Sequence, residues 1–235
     1  MNKKSILGYT DYHFDCIVKF GGSLLLESNK MHSAIQSLEL CRQHGKKLLV
    51  IPGGGPTDKT IESINTKFPL SPETHHAACA RTQDQTGLLI CDKVFSQWLR
   101  PCTTLSDARH ISEEGFIPVL LPSQIIFAMD PFEKTWDITS DGIAVWFVWV
   151  VQAPITMILT NVDGISPINT DFSKATPIKN ISAQDLLKLG HTSVDRCVPD
   201  FILKRGGKVW VGNGFYEDRL YKALIGEDVL GTFIF

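Results

Sequence analysis

The sequence predicts an α/β fold: a three-layer αβα sandwich around a mostly parallel central sheet. Two observations carry that reading. Short apolar runs alternate with helix-forming segments along the whole chain, with no internal repeat and no low-complexity linker. Glycine-rich turns also follow several of these runs, as in Gly21-Gly22-Ser23 after Cys16-Ile17-Val18 and Gly53-Gly54-Gly55 after Leu48-Leu49-Val50-Ile51. In a parallel sheet such turns gather at the carboxyl edge, where ligands bind. A single domain over residues 1–235 accounts for the pattern.

The first strand is expected over residues 15–20, followed by a helix over 29–44 that Gly45 ends. Lys46 and Lys47 lead into a strand over 48–52, and a short helix follows over 57–66. Pro69 and Pro72 mark a loop. A long helix is expected from Glu73 to Leu99, built on Ala77, Ala78, Ala80, Leu88 and Leu89, tolerating Gly87 and ending at Pro101. A short strand is read at 103–105, a short helix capped by Ser106 and Asp107, and a strand from Phe116 to Leu121 closed by Pro122. Thr139 or Ser140 caps an apolar helix over 141–152, and Ile155 to Leu159 is a strand. Ser166 to Asn180 reads as a polar excursion. Ser182 and Asp185 make a capping-box-like start to a helix over 183–189. Arg196 to Arg205 reads as helix, Val209 to Val211 as strand, 216–224 as helix and Thr232 to Phe235 as a terminal strand.

Composition narrows the function. The chain has 235 residues, 43% hydrophobic and 20% charged, with a formal net charge of −2. That balance gives no electrostatic case for nucleic acid or an anionic membrane as partner, so any phosphate-binding charge must be local. Cys16, Cys41, Cys79, Cys91, Cys102 and Cys197 form no CxxC pair and read as buried, reduced thiols of a cytoplasmic protein. Met1 to Thr10 lacks the apolar core of a signal peptide. The most apolar run, Ile143 to Val151, falls short of the roughly 20 residues that span a bilayer. It reads as a buried helix or a subunit contact.

A glycine turn between strand and helix exposes backbone N–H groups with no side chain in the way, which suits phosphate oxygens. Lys19 stands just before the first turn, a point charge able to follow a transferring phosphoryl group. Asp141, in the first turn of the apolar helix, is a carboxylate for orienting Lys19 or helping to hold Mg²⁺. Neither GxGxxG nor GxxxxGK[ST] occurs, which disfavours a Rossmann dehydrogenase and a P-loop NTPase. His75 and His76 are adjacent on a helix start and point to different sides, so joint chelation is disfavoured. No dedicated metal-ligating set is assigned, and Trp136 is a candidate pocket wall.

These residues resemble the amino acid kinase superfamily, which includes acetylglutamate kinase, aspartokinase, uridylate kinase and isopentenyl phosphate kinase. The matching stretches are Val18 to Ser23, Val50 to Pro56, Thr139 to Ala144, Leu159 to Ile165 and Gly231 to Ile234, in the family's order and over nearly the whole chain. Gly53 to Asp58, the helix with Gln83 and Asp84, and Trp136 to Asp141 are most similar to the branch of the aminomethyl-furanyl-methyl phosphate kinase of methanofuran biosynthesis. The resemblance implies an ATP- and Mg²⁺-dependent kinase acting on a small carboxylate or phosphomonoester acceptor, with direct in-line transfer. It implies an acceptor-binding lobe over roughly 1–150 and a nucleotide-binding lobe over 151–235. Lys19 would contact the transferring group and Asp141 would orient it. Gly21, Gly22 and Ser23 would hold the nucleotide's phosphates, and Gly53, Gly54 and Gly55 would face the acceptor. Thr160, Asn161, Asp163, Gly164, Gly212 and Asn213 would border the nucleotide.

The chain departs from the family's pattern in one place. Many members carry a second lysine after a proline in the late helix, where this chain reads Val198-Pro199-Asp200. An aspartate repels phosphate unless Mg²⁺ intervenes. Lys204, one helical turn on, takes that role in our reading, with Arg196 as a second candidate. The molybdenum storage protein, a superfamily member that binds nucleotide without small-molecule kinase chemistry, sets the alternative: a nucleotide-binding or assembly protein impaired in catalysis. A homo-oligomer is expected, with a hetero-oligomer as the other possibility.

Overall fold

The computed structural model describes residues 11–26, 28–134, 138–166, 176–190 and 192–235. Trp136 and residues 167–175 of the polar excursion lie outside the described residues. Strands β1 (Cys16–Phe20), β2 (Leu48–Pro52), β3 (Leu99–Cys102), β4 (Ile117–Leu120), β5 (Thr156–Thr160), β6 (Asn180–Ile181), β7 (Val209–Asn213) and β8 (Thr232–Ile234) form one sheet in the order β3-β4-β2-β1-β5-β7-β8-β6. Neighbours run parallel except β7 and β8. Helices α1 (Ser28–Gln43), α2 (Gly55–Lys67), α3 (Pro72–Ile90), α4 (Leu105–Glu113), α5 (Ser123–Met129), α6 (Ser140–Val151), α7 (Ala183–Leu189), α8 (Cys197–Arg205) and α9 (Arg219–Ile225) complete the described elements.

The strand period of two sorts side chains between the layers. Cys16, Val18 and Phe20 of β1 pack with Ile35 and Leu38 of α1 and Leu220 of α9. Ile17 packs on the opposite face with Ile143 and Phe147 of α6. Val198 and Ile202 of α8 extend that second layer over Ile158 and Val211. Lys19 shares the parity of Ile17, so β1 presents it to the α6 side. The apolar run 143–151 is a buried helix wedged between the sheet and α8. Trp146, Phe147 and Val148 are buried, while Trp149 on the same helix is 41% exposed. Among the described residues no helix is long and apolar enough to cross a membrane. All six cysteines carry free thiols. Burial pushes Cys41, Cys91 and Cys102 up to about 12, which keeps them protonated and unreactive.

Three segments differ from the sequence-based reading, each for a local reason. The long helix stops at Ile90, and Asp92 Oδ1 accepts from Val94 N at 2.9 Å to turn the chain. Leu99 therefore opens β3, which is a sheet edge, and an edge strand tolerates the missing N–H of Pro101. The expected strand at 103–105 is the start of α4, where Thr104 is the N-cap and accepts from Asp107 N at 3.1 Å. Helix α5 was not expected, because its cap is remote in sequence. Asp84 accepts from Ser123 N at 3.1 Å, and the Ser123 hydroxyl also donates to Asp84.

Candidate active site

The two glycine turns lie against each other at the carboxyl edge. Lys19 stands in register with Ile51 on one side and Ile158 on the other, so the chain leaves β1 between two strands. Gly21 N then donates to Leu159 O at 2.9 Å, and Gly53 N donates to Phe20 O at 2.8 Å. A Cβ on Gly22 would run into the backbone of Gly55, and one on Gly53 would lie 2.9 Å from Gly22 N. Gly55 has φ +67°, a left-handed conformation that favours glycine. Backbone thus packs on backbone, and no side chain fits between the turns.

That packing divides the amides. Those of Gly21 and Gly53 are spent on the sheet. Those of Gly22, Ser23, Gly54 and Gly55 lead the 3-10 turn Gly22–Leu26 and α2, where leading amides have no intrahelical partner. Among the described residues they donate to no backbone acceptor elsewhere. The result is a cradle of N–H groups suited to phosphate oxygens.

Beside it lies a buried charge cluster. Lys19 Nζ is 2.8 Å from Asp141 Oδ1, with the two side chains 12% and 6% exposed. Asp195 N donates to Asp141 Oδ2 at 3.3 Å. The Asp195 carboxylate caps α6, accepting from Thr139 N at 2.7 Å, Gly142 N at 3.1 Å and the Thr139 hydroxyl at 2.8 Å. This corrects the expected cap. Thr139 holds the N-cap position as expected, but its side chain makes no capping hydrogen bond. Burial, and after it the charge of Asp141, push Asp195 up from 3.8 to about 6, against the hydrogen bonds from Gly142 and Thr139. Gly142 lets α8 close on α6, since a Cβ there would lie 2.5 Å from Cys197 Sγ.

A second group follows β5 and β7. Asn213 Nδ2 donates to Asp163 Oδ1 at 3.2 Å, Arg219 pairs with the same oxygen, and Gly214 N donates to Thr160 O at 2.9 Å. Thr160 Oγ1 reaches Asn161 Oδ1 at 3.4 Å. Gly164 packs against Thr232, whose Oγ1 accepts from Ile165 N at 2.9 Å. This group adjoins the first turn, since a Cβ on Gly21 would lie 3.4 Å from Thr160 Cα. The Trp210 ring fills the space beside Gly212, so packing already demands a glycine there.

Lys204 belongs to α8, which packs on α6. It lines an open cleft of about 590 Å³ with Arg196, Asp200, Phe201, Glu133 and Ile138. Ile138 also borders a smaller cavity of about 40 Å³, set between Gly54 and Asp58 on one side and Gln83, Ile143 and Ser140 on the other. Among the described residues no group of three or more His, Cys, Asp or Glu side chains gathers as a metal site.

Sequence reasoning missed Asp195, Arg219 and the cavity-facing role of Asp58 and Gln83. Asp195 and Arg219 act across 53 to 56 positions, and nothing in their neighbourhoods announces it. Asp58 and Gln83 had a signal, since both sit in stretches that carried the resemblance.

Fold and site together define a small-molecule kinase architecture. A sequence model of the Amino acid kinase family matches residues 16–213, and the chain belongs to that family. It is 28% identical over 218 residues to the [5-(aminomethyl)furan-3-yl]methyl phosphate kinase of Methanocaldococcus jannaschii, covering 92% of this chain and 95% of the relative. Among solved structures, uridylate kinase from Archaeoglobus fulgidus superposes with a TM-score of 0.71 at 19% identity, covering 94% of this chain and all of that one. UMP kinase from Bacillus anthracis gives 0.71 at 13% identity, with 93% and 94% covered. These two likenesses concern the fold.

Proposed function

We propose that this protein transfers the γ-phosphoryl group of ATP to a small phosphomonoester acceptor in a methanofuran-type one-carbon cofactor pathway. A carboxylate acceptor is the broader form of the same chemistry. The observation that carries the reading is the Lys19–Asp141 ion pair beside two facing glycine turns whose leading amides, among the described residues, donate to no backbone acceptor elsewhere. The phosphate acceptor is supported by the name of the relative, which the chain matches over 92% of its own length and 95% of the relative's.

In this reading Gly22 and Ser23 donate to the nucleotide's phosphates, and Gly21 keeps the turn against β5. Thr160, Asn161, Asp163, Gly164, Gly212 and Asn213 border the nucleotide in the lobe over 151–235. Gly54 and Gly55 donate to the acceptor, held in the lobe over 1–150, while Gly53 ties that turn to β1. An ammonium has three N–H donors. Asp141 holds the Lys19 ammonium by charge, with Oδ1 2.8 Å from Nζ, and leaves those donors for the transferring group. An acceptor oxygen forms the new O–P bond, the bond from the γ-phosphorus to the β–γ bridging oxygen breaks, and ADP leaves with that electron pair. Lys19 and the amides stabilise charge on the transferring oxygens without reorganising. A magnesium ion carried on the nucleotide would neutralise phosphate charge, held mostly by phosphate oxygens and water, with Asp141 as the candidate protein oxygen.

Turnover of ATP against a panel of phosphomonoesters and carboxylates tests this reading. Lys19→Ala should lower kcat/KM by about 10²- to 10³-fold. Equal turnover by wild type and Lys19→Ala would refute the assignment. Asp200, lining the cleft beside Lys204, supports a second reading, a nucleotide-binding protein that does not transfer. Tight ATP binding with no turnover on any acceptor would favour it.

A further inference from the structure

The small cavity between α2, α3 and α6 has a chemistry that catalysis does not use. Its apolar walls are Ala80, Ile138 and Ile143. Among the described residues that line it, Asp58 is the single carboxylate, and no lysine or arginine faces the space. Asp58 folds back over the second glycine turn: a Cβ on Gly54 would lie 2.6 Å from Asp58 Cβ. Thr82 Oγ1 approaches Asp58 Oδ1 at 3.3 Å and fixes it. Gln83 is 5% exposed, lines the same space, and its Oε1 has no hydrogen-bond partner. A buried amide oxygen left without a donor carries a desolvation penalty that a ligand N–H would offset.

Two of the remaining lining groups, His76 and Cys79, are held toward their neutral forms. Burial holds His76 below the usual histidine range, and Lys134 adds to that effect. Lys134 is itself paired to Asp130 at 3.0 Å. Burial, and then Asp58, push the Cys79 thiol up, so it stays neutral. His75 lies 3.4 Å from Cys79 Sγ through its Nε2. Among the described lining residues Asp58 thus has no lysine or arginine to offset it, and Gln83 Oε1 is a buried acceptor in the same space.

We infer that this cavity binds the cationic end of the acceptor, a primary ammonium, with Asp58 as counter-ion and Gln83 Oε1 as a second hydrogen-bond partner. The inference rests on the kinase reading for the acceptor's other end, its phosphate on the Gly54–Gly55 amides. Asp58 is one turn along α2 from those amides, about 5 Å. The acceptor is thus a phosphomonoester with a short apolar body between phosphate and amine. The 40 Å³ cavity has room for about three water-sized groups, which suits an aminomethyl group and excludes a nucleoside.

Two probes separate the amine from the phosphate: 3-(aminomethyl)benzyl phosphate and its 3-methylbenzyl analogue. Calorimetric titration of wild type should show the amine bound about 10- to 100-fold more tightly, the range for a charge-assisted hydrogen bond. Asp58→Asn, which keeps size and shape, should collapse that ratio below about 3-fold, and Gln83→Leu should lower it part of the way. Equal binding of the two probes, no binding of either, or full amine preference in Asp58→Asn would overturn the inference. ATP consumption with the same probes reports separately on the kinase reading. Amine-selective binding without ADP formation would remove that reading and leave the amine site standing. Turnover without amine preference would do the reverse.

Discussion

Gly21 gives the most direct test of how the site is built, because its packing is with backbone. A Cβ at this position would lie 2.5 Å from Leu159 O, and neither atom belongs to a flexible side chain. Ordinary contact begins at 3.4 Å, so Gly21→Ala must move the first turn off β5 by about 0.9 Å. The same movement stretches the 2.9 Å bond from Gly21 N to Leu159 O. Overpacking costs about 1–3 kcal/mol and the lost hydrogen bond about 1. The thermal midpoint should therefore fall by roughly 5–15 °C. Activity should fall much further. A misplacement of about 1 Å at a reacting centre costs on the order of 10²-fold, and this turn carries the Gly22 and Ser23 amides beside Lys19. The assay is kcat/KM for ATP at a temperature where the variant is fully folded. Gly45→Ala is the control: its φ of +74° strains an alanine by about 1–2 kcal/mol, yet nothing lies within 4 Å of the new Cβ. It should lose stability and keep its activity. Turnover by Gly21→Ala within about 3-fold of wild type would refute the claim that this contact holds the cradle in place.

Three other substitutions probe the charges around that cradle. Asp195 titrates near 6 in the folded protein against 3.8 for the free group, so the folded state holds the proton longer than the unfolded chain. Its contribution to stability is present below pH 3.8 and is lost as pH rises through about 6, a swing of about 3 kcal/mol. An asparagine can accept from Thr139 N and Gly142 N while its amide donates to the Thr139 hydroxyl. Asp195→Asn should therefore gain on wild type in urea midpoint as pH rises from 4 to 7, and a pH-independent difference would count against the buried-charge account. On α8, Lys204→Ala should weaken ATP turnover by about 10-fold and Asp200→Lys should raise it, if this helix completes the phosphate site. No change in either variant would take α8 out of the reaction.

The chemistry was legible because it is written locally. In Val18 to Ser23 and in Val50 to Pro56 the strand, the turn and the start of the next helix are consecutive, so the motif and its geometry are one object. Ser182 is read the same way: its hydroxyl accepts from Asp185 N at 3.0 Å, three residues on. Helix caps that come from elsewhere cannot be read so. Asp84 caps α5 from 39 positions away, and Asp195 caps α6 from more than 50, which left α5 unseen and the cap of α6 misassigned. Pro101 misled for a related reason. Whether a proline ends an element or sits in an edge strand depends on what lies beside it.

By itself, then, the sequence determined the alternation of strand and helix, the glycine turns, and the lysine and aspartate between them. Short-range sterics and hydrogen bonding dictate all of these. Only the tertiary structure decided which turn amides the sheet consumes, that the backbone N–H of Asp195 holds Asp141 while its carboxylate caps α6, and that α2, α3 and α6 enclose an acidic cavity beside the second turn. Those properties belong to contacts between segments far apart in the chain. Burial sets their strength, and burial exists only once the layers have closed.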